Sequence, residues 1–213
     1  MKFFLKRPII SLSLLITLTF ILLYVTDHYI LTVNFYNNSG DPISGIPDQD
    51  AQVYHSLQKW IYLSALIYLL IKISMISLIL YMGLYIREIE ISFTKVLAIV
   101  ILSEYLFLLP AILKICLFHL EYPNGTLDDW HKFYLLSALS FFRSAPADWY
   151  FALQTLNLFE VGYWFLLAFG IHSISGLNYD NSLKIVVLSY VPALIVWVAM
   201  ITFCSLLLFP AAG

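Results

Sequence analysis

The sequence predicts an all-α integral membrane protein with five transmembrane helices, and three observations carry that prediction. Of its 213 residues, 62% are hydrophobic and 11% charged, with a mean hydropathy of +0.88. A water-facing globule does not tolerate such a composition. The chain also divides into apolar runs of about the 20 residues that cross a hydrocarbon core roughly 30 Å thick. Finally, the run over 156–174 and the run resuming at Leu183 are separated only by Ser175-Gly176-Leu177-Asn178-Tyr179-Asp180-Asn181. Glycine and asparagine in so short a polar break suit a turn. The two runs therefore read as a transmembrane hairpin around which the other spans are expected to pack. Removing the spans leaves no soluble domain of useful size, so residues 1–213 read as a single transmembrane domain.

Lys2, Lys6 and Arg7 precede the first apolar run, over about 9–26. This mimics a signal peptide, but the run is longer than an h-region and no small-x-small cleavage site follows. It is expected to be an uncleaved span with a cytoplasmic N-terminus, and Pro8 falls where a helix tolerates proline. Residues 27–58 form the first expected outer loop, with Asp27, Asp41, Asp48 and Asp50. Within it, residues 29–35 suit either a short extended piece or a continuation of the first helix. The second span is expected over about 60–85, with Arg87, Glu88, Glu90 and Lys95 behind it on the cytoplasmic side. The third covers about 96–120, interrupted by Pro110.

A second outer loop, 121–153, contains the aromatic stretch Phe-Tyr-Leu-Leu-Ser-Ala-Leu-Ser-Phe-Phe between Lys132 and Arg143. It is too short to cross the bilayer and is expected to form an interfacial or re-entrant helix on the outer face before span four. Spans four and five are expected over about 154–174 and 183–208. Lys2, Lys6, Arg7, Arg87, Lys95 and Lys184 then lie on the cytoplasmic side, against Lys59, Lys132 and Arg143 outside. The positive-inside rule favours N-in and C-out. Making 133–142 a sixth crossing would invert the end of the chain.

The carboxyl third resembles the Yip family of five-span membrane proteins, named for interaction with Ypt/Rab GTPases. The resemblance lies in Leu156-Asn157-Leu158-Phe159, Leu166-Leu167-Ala168-Phe169-Gly170 and Ile174-Ser175-Gly176-Leu177-Asn178-Tyr179. It extends to a last span with Tyr190, Pro192 and Ala193. It covers about 60 residues of packing pattern, with no catalytic signature, and the cytoplasmic amino-terminal region of eukaryotic members has no counterpart here. What the resemblance implies is a scaffold or accessory subunit of a membrane transport or trafficking assembly. Bacterial relatives are expected beside other membrane proteins, among them ABC-type exporter permeases. The Ile, Asn, Lys and Tyr content fits an AT-rich bacterial genome, which points to a bacterial inner membrane. The lipid bilayer and other membrane proteins are thus the expected partners, and oligomerisation is compatible with the sequence. A net charge of −2 without a basic block points away from nucleic acid.

Four ionisable residues fall inside spans: Lys72, Glu104, Lys114 and Glu160. Each costs about 2.5–3.5 kcal/mol at mid-membrane on insertion scales. With a rise of about 1.5 Å per residue, Lys72 lies roughly 18 Å from the outer end of span two, and Glu104 roughly 12 Å from the inner end of span three. In a core roughly 30 Å thick these depths coincide. Lys114 and Glu160 likewise each lie roughly 8–10 Å below the outer boundary. Two cross-span pairs are expected, Lys72 with Glu104 and Lys114 with Glu160. They act either as structural glue that fixes helix register, the favoured reading, or as a proton or ion relay of a small transporter or channel subunit.

On span four, Asn157, Glu160, Tyr163, Trp164 and Ile171 fall close to one stripe at i+3 and i+4 spacing. There Asn157 can cap or bond Glu160, and packing is the favoured reading. Gly162 and Gly170 permit close approach of another helix. Gly176 belongs to the turn that follows. His119, Asp128, Asp129 and His131 are candidate metal ligands near the outer surface, but they lack ligand spacing such as His-Glu-x-x-His, and a solvated loop is favoured. His172 is expected at an interface or in a hydrogen bond. Cys116 and Cys204 sit in spans, which disfavours a disulfide framework or a cysteine-based zinc site, and Cys116 is expected to be buried and inert. Asn37-Asn38-Ser39 and Asn124-Gly125-Thr126 are glycosylation sequons of low specificity. No nucleophile, phosphate-loop or dinucleotide motif occurs. The sequence therefore predicts a non-enzymatic protein without cofactors.

Overall fold

The computed structural model describes residues 7–32, 35, 47–123, 125–142, 146 and 149–208, with backbone alone at 47–55, 57, 58, 127, 128 and 208. Lys2, Lys6, Asp41, the triplet at 37–39, Asn124, Arg143, Asp148 and the tail after 208 lie outside the described residues, as do the side chains of Asp48, Asp50 and Asp128. Five helices are long and apolar enough to cross a membrane.

Helix α1, Pro8–Tyr29, opens with proline in its first turn, where the missing N–H has no intrahelical partner to lose. Thr17, Thr19 and Thr26 donate their hydroxyls to carbonyls four residues back, each at 2.9 Å. This satisfies polar groups inside an apolar segment. The helix stops where the N–H groups of Ile30 and Leu31 both reach the Thr26 carbonyl at 3.0 Å.

Helix α2, Pro47–Ile86, has 40 residues and begins well before the expected start near 60. Residues 47–58 are thus helical rather than loop. The physical reason is a lack of punctuation, because no glycine or proline stands between Pro47 and Gly83.

The third membrane-length segment is composite: helix α3, Phe93–Glu104, a 3-10 turn at Tyr105–Phe107, then helix α4, Leu108–Glu121. Pro110 accounts for the interruption. It cannot donate to the carbonyl four residues back and its ring crowds that carbonyl, which belongs to Leu106.

The α4–α7 connection departs from the expected interfacial helix. It contains helix α5, Leu127–Lys132, a 3-10 turn at Ala138–Phe141 and helix α6, Tyr150–Thr155. Phe133–Phe142 forms neither a continuous helix nor a sixth span. Leu136 adopts a left-handed φ of 54°, and the backbone around Ser137 pairs instead with Asn157. Ala138 donates to the Leu156 carbonyl at 2.8 Å, and Leu158 to the Leu136 carbonyl at 3.0 Å. Phe118 seats this connection on the bundle, with ring contacts to Phe35, Tyr122, Trp130 and Phe133.

Helix α7, Leu158–Ser175, and helix α8, Tyr179–Leu208, form the hairpin. Gly176 takes the left-handed cap with φ 74°, as its position in the turn suggested. The hairpin is not the centre of the bundle, however. That place belongs to α3, which packs on α1, α2 and α7, while α8 closes the ring between α7 and α2. Val96, Ala98, Ile99, Val100 and Ile101 of α3 are buried with Leu80, Leu84, Leu167, Ile171 and Val186. Ile99 meets the bare backbone of Gly170, where a Cβ would collide with it. At Gly162 an added Cβ would stand a looser 3.3 Å from the end of the Leu106 side chain.

Candidate functional site, a buried lysine, glutamate and tyrosine cluster

Two carboxyl groups converge where α3, α7 and α8 meet. Glu104 is the last residue of α3, and its side chain is 3% exposed. Its Oε2 lies 2.9 Å from Lys72 Nζ of α2, and its Oε1 accepts the Tyr163 hydroxyl at 2.8 Å. The ammonium also sits 3.9 Å above the Phe107 ring centroid, on the 3-10 turn that follows Glu104. The proline-induced break therefore delivers an aromatic face to the cation. Matching depths had suggested this ion pair, and the geometry supplies it together with two partners that depth alone did not reveal.

Glu160 departs from expectation. It does not pair with Lys114. Its Oε1 accepts the Tyr190 hydroxyl at 2.7 Å from α8 and the Trp164 indole N–H at 3.1 Å from one turn further along α7. Lys114 instead lies between the rings of Trp130 and Tyr134, at 4.2 and 3.9 Å from their centroids. Similar depth did not bring the two together, because Lys114 turns to Trp130 and Tyr134 while Glu160 turns to Tyr190 of α8. Asn157 caps α7 as expected, accepting the Glu160 N–H at 2.8 Å, while its amide donates to the Gln154 and Thr155 carbonyls.

Tyr163 and Tyr190 link the two carboxyls, with ring centroids 5.7 Å apart in an edge-to-face arrangement. Sequence reasoning placed Tyr163 on the Glu160 stripe as a packing residue and named Tyr190 only within the family resemblance, so neither was expected as a hydrogen-bond partner of a carboxyl. The available signal was that a tyrosine hydroxyl in mid-membrane requires a partner, and Tyr163 stands one turn beyond Glu160. The arrangement neutralises one charge pair and gives the second carboxyl two neutral donors.

The other candidates are dispersed. Asp129 Oδ2 is engaged by the Thr126 N–H and hydroxyl at 2.9 and 2.7 Å in a capping box. Among the described residues, no three metal-ligating side chains come together. His172 bonds the Leu177 carbonyl. Cys116 and Cys204 are exposed on the bundle's flank, where burial of Cys116 was expected. Compared with protein-family models, curated proteins and solved structures, the chain matches none.

Proposed function

We propose that the chain is a non-enzymatic membrane scaffold, a Yip-like accessory subunit of a transport or trafficking assembly. The observation that carries this reading is the closure of Lys72 on Glu104 at 2.9 Å, with Tyr163 on the remaining carboxylate oxygen. Charges consumed in this way fix helix register and leave no free mid-depth ion in that pair. Outward apolar side chains such as Ile195, Val196, Phe203 and Leu207 on α8 are available to lipid or to another membrane protein, an exporter permease being one candidate. The proposed setting is a bacterial inner membrane, N-terminus inside and C-terminus outside. The α4–α7 connection would then lie along the outer surface, a placement supported by the exposed Phe141, Phe142 and Trp149.

A second reading, a small proton-coupled transporter or channel subunit, is favoured by one observation. Glu160 has neutral donors rather than a cation, and the Tyr163–Tyr190 contact connects it to Glu104. Purification of tagged chain from its own membranes, together with proton flux into liposomes holding the chain alone, separates the two. A stoichiometric membrane partner and silent liposomes support the scaffold. Flux by the solitary chain that disappears in a folded Glu104→Gln variant overturns it.

A further inference from the structure

A cleft of about 710 Å³ opens beside the last turns of α1, the first two turns of α4 and the start of α7. Leu23 of α1, Ile61 of α2, Phe107 and Phe159 give the cleft apolar lining. Lys114, held between Trp130 and Tyr134, lines it as well. No carboxylate appears among the described residues that line the cleft, and Lys114 has no carboxylate within 4 Å among the described residues. Aromatic faces hold a cation in place but leave its charge uncompensated. Tyr134 offers no counter-charge, because a tyrosine hydroxyl is neutral near pH 7 and burial raises its pKa further. This ammonium differs from that of Lys72, which has its own carboxylate.

Lys114 lies seven residues before the end of α4, about 10 Å along the helix axis. That is the depth of a headgroup and the first part of an acyl chain in a bilayer. A cationic pocket between spans with apolar lining matches an anionic headgroup carrying a hydrocarbon tail. Its volume falls within the ordinary range of small-molecule sites.

We propose that this cleft is a binding site for an anionic amphiphile, whose phosphate or carboxylate oxygens meet Lys114 while its chain lies along Leu23, Ile61 and Phe159. The shared chemistry is an oxyanion. A lipid headgroup supplies it with a tail, and free phosphate without one. The cleft shares Phe107 with the Glu104 cluster but includes neither Glu104 nor Glu160, so the proposal stands whether or not the scaffold reading holds.

The test is native mass spectrometry of the full chain, purified in detergent and supplied with palmitoyl-oleoyl phosphatidylglycerol, palmitoyl-oleoyl phosphatidylcholine or inorganic phosphate. Wild type is expected to retain one phosphatidylglycerol in preference to phosphatidylcholine. Lys114→Gln should lower that preference about ten-fold, the effect of one charge-assisted contact. Lys184→Gln, on α8 outside the cleft, should leave it unchanged. Equal retention of both lipids by wild type overturns the proposal without recourse to any variant. So does a folded Lys114→Gln protein that keeps the full preference, or inorganic phosphate retained with no lipid.

Discussion

Lys72 and Glu104 stand 32 positions apart in sequence and 2.9 Å apart in space, joining α2 to the end of α3. A mid-membrane ammonium and a carboxylate that is 3% exposed are each costly alone and tolerable together. Glu104→Gln leaves the lysine without its counter-ion. The expected loss is about 3 kcal/mol, the low end for breaking a buried pair, because the Lys72 side chain is 22% exposed. Reversible unfolding in mixed micelles measures it. Lys72→Met combined with Glu104→Gln should recover much of the loss, and a double variant no better than the single would contradict the pairing argument.

Tyr163→Phe removes a hydroxyl bonded to a charged acceptor and should cost about 1.5–3 kcal/mol. Tyr190→Phe removes the equivalent donor to Glu160, which keeps Trp164 on the same oxygen. It should therefore be the milder change, at about 1 kcal/mol. The same unfolding assay ranks them, and the reverse order would refute the assigned hydrogen bonds.

Helix α7 meets α3 most tightly at Gly170, whose new Cβ would collide with Ile99. Gly170→Ala should destabilise by about 1–3 kcal/mol through overpacking. Gly162→Ala meets only the flexible end of Leu106 at 3.3 Å and should stay within about 0.5 kcal/mol of wild type. Comparable losses at both glycines would show that the α3–α7 contact is not where the close packing lies.

Asn157 does two jobs at the start of α7, accepting the Glu160 N–H and donating to carbonyls of the preceding turn. Asn157→Ala should cost about 1–2 kcal/mol, the upper part of the range for lost helix caps. Asn157→Asp keeps the acceptor and should recover most of it. Hydrogen exchange of the first turn of α7 reports the change directly, and unaltered protection in the alanine variant would argue against the cap.

The sequence by itself determined five apolar crossings, the proline break in the third, the glycine that ends α7 and the asparagine that begins it. All of these depend on neighbours along the chain: hydropathy, a missing N–H, a left-handed φ, a side chain reaching its own backbone. Depth is also a one-dimensional quantity, which is why the Lys72–Glu104 partnership was legible from helix rise. What each helix turns toward its neighbours is not one-dimensional. Lys114 and Glu160 share a depth, yet one projects into the aromatic cleft and the other toward α8. Only the packing of α3 inside the ring of α2, α7 and α8 sets those rotations, so only the tertiary structure gave Glu160 its tyrosine. The stretch 133–142 was settled in the same way: its backbone bonded to the start of α7 in place of closing on itself, a choice between local and distant partners that composition does not record.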